Sequence, residues 1–240
     1  LGEGESWLVE PRQLDAEGRV WSPGVRVGVQ PGSFTHTTEL FGPHLSLIAV
    51  RTLDEAIAVQ DGTDFGLTAG IHSLDVDEVH EWMQRVQAGN LYVNRGITGA
   101  IVRRQPFGGW RLSQVGPGAK AGGPSYLSTL VDWEPVFQPP RKNVKLAGLH
   151  QRVSNLIESA TPQLDFLEFD RIRAGANSDQ RAWEAELGLS LDVSSLGVER
   201  NVLRYRPTQT LVRLSDDGTM GQLVRVLAAA ARARATVRIS

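Results

Sequence analysis

"GNLYVNRGITGAIVRRQPFGGWRLSQVGPGAKAGGPSYL", Gly89–Leu127, carries nine glycines and three prolines in 39 residues. After Gly89, "NLYVN" reads as a β-strand; the remainder fits neither the helical nor the strand period. Glycine at this density marks a backbone that must turn sharply or lie close to something else. The stretch has the texture of an active-site wall and offers no obvious nucleophile.

The segments before it alternate between strand and helix. "GLTAGIHS" reads as a strand. Asp75 or Asp77 can cap a helix that places Val76, Val79, Met83 and Val86 on one face with Trp82 alongside. Gly89 is expected to end that helix as a left-handed cap. "TLDEAIAVQDG" reads as a short helix capped by Thr52, with Glu55 as its capping-box partner. "ELFGPHLSLIAVR" turns at Gly42-Pro43, and its apolar run Leu45–Val50 suits a strand buried on both faces, as in a parallel sheet. "SWLVEP" and "VRVGVQPGSF" read as short strands. This order predicts an α/β layered fold.

After it, Trp133–Gly148 changes character. Pro135, Pro139 and Pro140 precede Arg141, Lys142 and Lys145, the composition of a linker. "HQRVSNLIESATPQL" reads as a helix with Val153, Leu156, Ile157 and Ala160 on one side, bounded by Pro162. The last 31 residues read as strand "TLVRL", helix "MGQLVRVLAAAARARA" and strand "TVRIS". The helix is expected to bury Met220, Leu223, Val224, Leu227 and Ala228. Such a unit is a parallel crossover, and two parallel strands cannot cover both their faces alone. The domain is therefore expected to continue past Ser240.

The 240 residues are 41% apolar and 22% charged with a net charge of −2, an ordinary globular composition. That charge supplies no field for nucleic acid or acidic membranes. No apolar run nears the ~20 residues that span a bilayer. The chain opens on Leu1 rather than Met, which suggests a piece of something longer. It has no cysteine, so disulfides, thiolate metal sites and a cysteine nucleophile are excluded within it. A cytoplasmic location is the default expectation. The histidines at 36, 44, 72, 80 and 150 lack metal-ligand spacing. "GPGAKAGG", Gly116–Gly123, lacks the order of a phosphate loop. Arg225, Arg232, Arg234 and Arg238 read as a solvated helix face and a strand end.

"ELFGP" at Glu39–Pro43, "GNLYVNR", "TGA" at Thr98–Ala100, "QPFGG" at Gln105–Gly109 and "KAGGP" followed by "YL" resemble the C-terminal half of the aldehyde dehydrogenase catalytic domain. The likeness is closer to the branch that oxidises L-glutamate γ-semialdehyde, Δ1-pyrroline-5-carboxylate dehydrogenase, and covers residues 1–132. One departure is Gln114, where relatives have glycine. "ERNVLRYRP" at 199–207 and the crossover after it resemble, more weakly, the C-terminal domain of long bifunctional proline utilization A proteins. The implied organisation is a partial catalytic domain at 1–132, a linker at 133–150 and a partial Rossmann-like α/β domain at 151–240.

The resemblance implies an NAD-dependent reaction in which a cysteine thiolate adds to an aldehyde and water releases the acid. The segments bearing that cysteine and the assisting glutamate are absent here, so no catalytic residue is expected in this chain and turnover is not expected from it alone. The resemblance assigns Glu39 to the nicotinamide ribose, whose vicinal hydroxyls suit a two-oxygen acceptor, and Phe41 to the nicotinamide end. It assigns the Gly99 and Ala100 amides to the substrate α-carboxylate, which converging N–H groups bind well. Phe107 is assigned to the aliphatic middle of the substrate. Other readings of these residues are a surface glutamate, core packing and an ordinary turn. FAD belongs to a proline dehydrogenase module upstream, not to this chain. The expected partners are a small aldehyde, the rest of the parent polypeptide and further copies of it. The rival readings are a non-catalytic scaffold, favoured for 151–240, and an aldehyde dehydrogenase of other specificity.

Overall fold

The computed structural model describes residues 1–116, 118–134 and 145–240. The proline-rich part of the expected linker, 135–144, lies outside the described residues. The chain divides into two compact units, Leu1–Val131 and Asp132–Ser240, and each is α/β.

In the first unit, β1 (Ser6–Val9) runs antiparallel to β2 (Gly24–Val27), which pairs in parallel with β3 (His44–Ser46). Glu5 holds this corner: its carboxylate accepts from Arg26 Nη1 at 3.3 Å and Thr35 Oγ1 at 3.1 Å. Thr35 lies on the single turn α1 (Phe34–Thr37).

The apolar run after Gly42-Pro43 departs from expectation. Strand pairing stops at Ser46, and Leu45, Leu47 and Val50 are exposed. A strand covered on both faces needs neighbours on both, and the described residues leave these side chains uncovered. The run borders a groove of about 840 Å³ lined by Leu45, Leu47, Ile48, Val50, Ile71 and Trp82, among others.

The firmest part of this unit is a parallel crossover. β5 (Thr68–Ile71) and β6 (Asn90–Val93) pair with Thr68 opposite Asn90, joined by α3 (Val76–Arg85). The Asp75 carboxylate accepts from the Asp77 and Glu78 amides, an N-cap that satisfies two otherwise orphaned donors. Trp82, Val86, Ala69, Ala88 and Ile57 form the core, with Ile57 coming from α2 (Leu53–Gln60). Trp82 is only 3% exposed, and its Nε1 donates to Gln60 Oε1 at 2.8 Å. A second, two-residue pairing joins β4 (Phe65–Gly66) to β7 (Trp110–Arg111).

Three local expectations need correcting here. Val76 is 79% exposed, because it sits in the first turn, beyond the reach of the core. Thr52 caps α2 through the Glu55 amide, but the Glu55 carboxylate returns to the Arg51 amide rather than to that of Thr52. Gly89 is not a left-handed cap: α3 ends at Arg85 with Val86 at φ −59°, and Gly89 has no positive φ. Its reason is close approach, since a Cβ there would lie 2.0 Å from the Gly108 carbonyl oxygen.

The second unit packs α4 (Gln151–Ala160), α5 (Phe166–Ala182) and α6 (Met220–Arg232) around Val153, Ile157, Ile172, Ala176, Val224 and Ala228. β8 (Gln209–Val212) and β9 (Thr236–Ile239) are parallel, as expected of the crossover. Met220 is 40% exposed, being the first residue of its helix. Two of the arginines read as solvated are not. Arg225 forms a two-pronged ion pair with Asp179 at 2.7 and 2.8 Å. Arg232 is buried, with its guanidinium 4.6 Å from the centre of the Trp183 ring. Both face α5 and the π turn that follows it, Trp183–Leu187.

Candidate functional site

β6 is the platform of the glycine-rich bend. The Asn90 side chain faces the bend: Nδ2 donates to Pro106 O at 3.0 Å, and Oδ1 accepts from Gly108 N at 3.1 Å. Two residues on, Tyr92 is buried and its hydroxyl donates to Gly99 O at 2.9 Å. Alternation along a strand puts positions i and i+2 on the same side, so both contacts come from one face of β6. Directly before β6, the bare Cα of Gly89 admits the Gly108 carbonyl.

Gly99 has φ +106°, a conformation closed to most side chains. With its carbonyl drawn to Tyr92, the rest of that peptide unit is oriented. No peptide bond is cis, and in a trans unit the N–H points opposite the C=O. The Ala100 N–H is therefore directed away from Tyr92, toward the exposed side of the bend. Ala100 is exposed, and its amide has no hydrogen-bond partner among the described residues. A turn closed by Gln105 N to Ile101 O at 2.7 Å leads into Phe107. Phe107 is half-buried and bridged to Ala121 by paired backbone bonds of 3.0 and 2.8 Å.

Lys120 was missed as a site residue because "GPGAKAGG" reads first as a failed phosphate loop. Its ammonium points into the protein. Nζ donates to Gly89 O at 2.7 Å, Gly108 O at 2.7 Å and Asn90 Oδ1 at 2.9 Å. Burial lowers its pKa to about 8 from 10.5, because a desolvated ammonium is disfavoured over the neutral amine. The signal available in sequence was a lysine in a glycine run with no acid near it. Asn90 and Tyr92 carried no signal beyond belonging to a strand.

Glu39 and Phe41 are built differently. They lie on the irregular segment between α1 and β3. Phe41 is 92% exposed with φ +47°, and Glu39 is exposed with no side-chain partner among the described residues. Leu40, Gly42 and Pro43, interleaved with them, line a small hollow of about 180 Å³ with Pro11, Trp21 and His44. Gly99, Ala100 and Phe107 line neither that hollow nor the larger groove. The structure thus joins Gly99, Ala100 and Phe107 in one braced bend and leaves Glu39 and Phe41 as a separate exposed pair. A carboxylate with both oxygens unpaired, beside a bare aromatic face, fits the hydroxyls and ring of a nicotinamide nucleoside.

The pattern of the aldehyde dehydrogenase family matches residues 2–135. A 1-pyrroline-5-carboxylate dehydrogenase of Bacillus pumilus is 41% identical over 114 residues, 48% of this chain and 22% of that protein. The bifunctional protein PutA of Rhizobium meliloti is 36% identical over 198 residues, 79% of this chain and 15% of its own length. Among solved structures, proline utilization A from Corynebacterium freiburgense aligns with all of this chain and 23% of its own at 45% identity and a TM-score of 0.87. The chain therefore spans less than a quarter of each of these relatives.

Proposed function

The chain belongs to the aldehyde dehydrogenase family, and from that premise we propose that it is part of an NAD-dependent L-glutamate γ-semialdehyde dehydrogenase. In this reading it supplies one wall of the active site of a longer proline-catabolic polypeptide. The observation that carries the substrate is the Gly99–Ala100 peptide. Its carbonyl is held by a buried tyrosine and its N–H faces outward, a fixed donor for the carboxylate that distinguishes the semialdehyde from a plain aldehyde. Phe107, set by its bridge to Ala121, packs on the aliphatic chain between carboxylate and aldehyde. Each methylene so recognised contributes about 1–3 kcal/mol.

Glu39 and Phe41 hold and orient the nicotinamide end of the cofactor. When bound there, NAD⁺ accepts the hydride. The chain's own contribution is orientation, an effect worth up to ~7–11 kcal/mol in well-aligned systems. The nucleophile is a cysteine on another segment, because this sequence contains none. Residues 133–150 serve as a linker. Residues 151–240, whose β8–β9 pair leaves Leu211 and Ile239 exposed, serve as a non-catalytic association module. The polypeptide works in the cytoplasm as an oligomer.

The test is a pair of assays. The complete polypeptide should oxidise the semialdehyde with NAD⁺ and lose most of its kcat/KM on an aldehyde of equal length without the α-carboxylate. The 240 residues alone should show no turnover. Equal activity on both aldehydes would remove the semialdehyde assignment and leave another aldehyde dehydrogenase specificity.

A further inference from the structure

The Lys120 ammonium is used to capacity: it has three donors and makes three hydrogen bonds. Its acceptors come from two places distant in the chain. Asn90 opens β6 and Gly89 directly precedes it, whereas Gly108 follows Phe107. A turn needing only closure already has backbone bonds for that purpose, the Phe107–Ala121 pair. A desolvated charge without a counter-ion is costly, so a purely apolar filler at 120 would be the cheaper way to occupy the space. What the ammonium adds is a fixed distance between the start of β6 and the Gly108–Gly109 peptide, one residue past Phe107. β6 also fixes Gly99, through Tyr92. One strand thereby sets the spacing between the carboxylate-binding peptide and the aromatic face.

We propose that Lys120 is a positioning residue of the semialdehyde site, its ammonium tying the start of β6 to the Phe107–Gly108 turn and so fixing Phe107 relative to the Gly99–Ala100 peptide. The substrate half of this inference rests on the function proposed above; the brace itself does not.

The ionisable side chains on the adjoining segments are Tyr92 and Arg95 along and after β6, and Arg103, Arg104 and Arg111 around the bend. The acids are Asp61 and Asp64, in the turn before β4. Asp61 accepts from the Gln87 amide at 2.9 Å. Among the described residues no carboxylate is hydrogen-bonded to Lys120, and burial governs its titration.

The first arm of the test needs no enzyme activity. The sequence has only Lys120, Lys142 and Lys145, so lysine labelled with ¹³C at Cε gives three resolvable signals in the 240-residue chain. Lys120 should titrate near pH 8, and the Phe107 and Gly108 amides should shift with the same midpoint. If Lys120 titrates with the other two, or the turn amides do not follow it, the brace does not exist. The second arm uses the complete dehydrogenase. Lys120→Met should raise KM for the semialdehyde about tenfold while leaving KM for NAD⁺ within about twofold. An unchanged semialdehyde KM overturns the positioning role, as does equal loss of both substrates, which marks a merely structural lysine. A wild-type enzyme indifferent to the α-carboxylate would instead remove the substrate reading, with the brace still decided by the first arm.

Discussion

Two regions of the first unit carry the proposed site, and they are held by opposite means. The bend from Gly99 to Lys120 is self-contained: Asn90, Tyr92 and Lys120 reach it from within the chain and spend their polar groups on its backbone. The segment from Glu39 to Val50 is not. Its pairing stops at Ser46, and its apolar side chains and Phe41 stand exposed. The backbone of the first region is held by bonds from within this chain, although Ile101, Val102, Leu112 and Val115 stand exposed on it. The second has surfaces that pay off in free energy only when further chain or a ligand covers them. In the proposed reading, the substrate-binding bend is thus pre-organised, and the cofactor-binding segment is presented but unfinished.

The largest expected effect contrasts the core beneath the bend's platform with the exposed segment. Trp82→Ala should lower the unfolding free energy of the first unit by about 3–5 kcal/mol in urea denaturation, since it empties the core and strands Gln60. Leu45→Ala should cost less than about 1 kcal/mol in the same chain, because its side chain is already wet. Comparable losses at both positions would mean that the exposed run is covered in solution.

Next comes the close approach at Gly89. Gly89→Ala places a methyl against the Gly108 carbonyl, and backbone on one side must move. A loss of about 3 kcal/mol, with faster amide exchange in β6, is expected. A neutral substitution would show that the bend is looser than its hydrogen bonds imply.

Tyr92→Phe is a smaller change. It should cost about 1–1.5 kcal/mol for one buried hydrogen bond and raise KM for the semialdehyde in the complete enzyme, because the Gly99 carbonyl loses the hydroxyl that orients it. Glu39→Ala should leave stability within about 0.5 kcal/mol of the parent and weaken NAD⁺ instead. Reversal of these two signatures would invert the assignment of the two regions.

Much of this contrast was legible in the residues. The helical spacing of Val79, Met83 and Val86 located the crossover, and its cap was narrowed to Asp75 or Asp77, of which the structure uses Asp75. The glycines of the bend announced tight backbone without saying of which kind. Gly89 was misread because a glycine after a helix has two uses, positive φ and close approach, and only the partner's position separates them. The run Leu45–Val50 was read correctly as apolar and incorrectly as buried: hydrophobicity reports what a strand needs, not whether the cover is present. The helix α5 went unread, although Asp165 and Glu168 form a reciprocal capping box at its start. Nothing local distinguishes Asn90, Tyr92 or Lys120 from surface residues, since each acts across 7 to 31 positions of sequence.

The smallest expected effect is a pH dependence, and its sign is set by Lys120. Burial holds its folded pKa near 8, below the 10.5 of a free lysine. Between those values the unfolded chain binds more protons than the folded one, so stability rises as pH increases from about 8 to 10.5 and is flat below 8 for this group. Solvent screening at a partly exposed site reduces the gain to about 1 kcal/mol. Urea midpoints of the 240-residue chain should therefore increase over this window, and those of Lys120→Met should lack that increment. If the increment persists in Lys120→Met, another group is being neutralised on folding, and the ammonium at the centre of the braced bend is solvated rather than held.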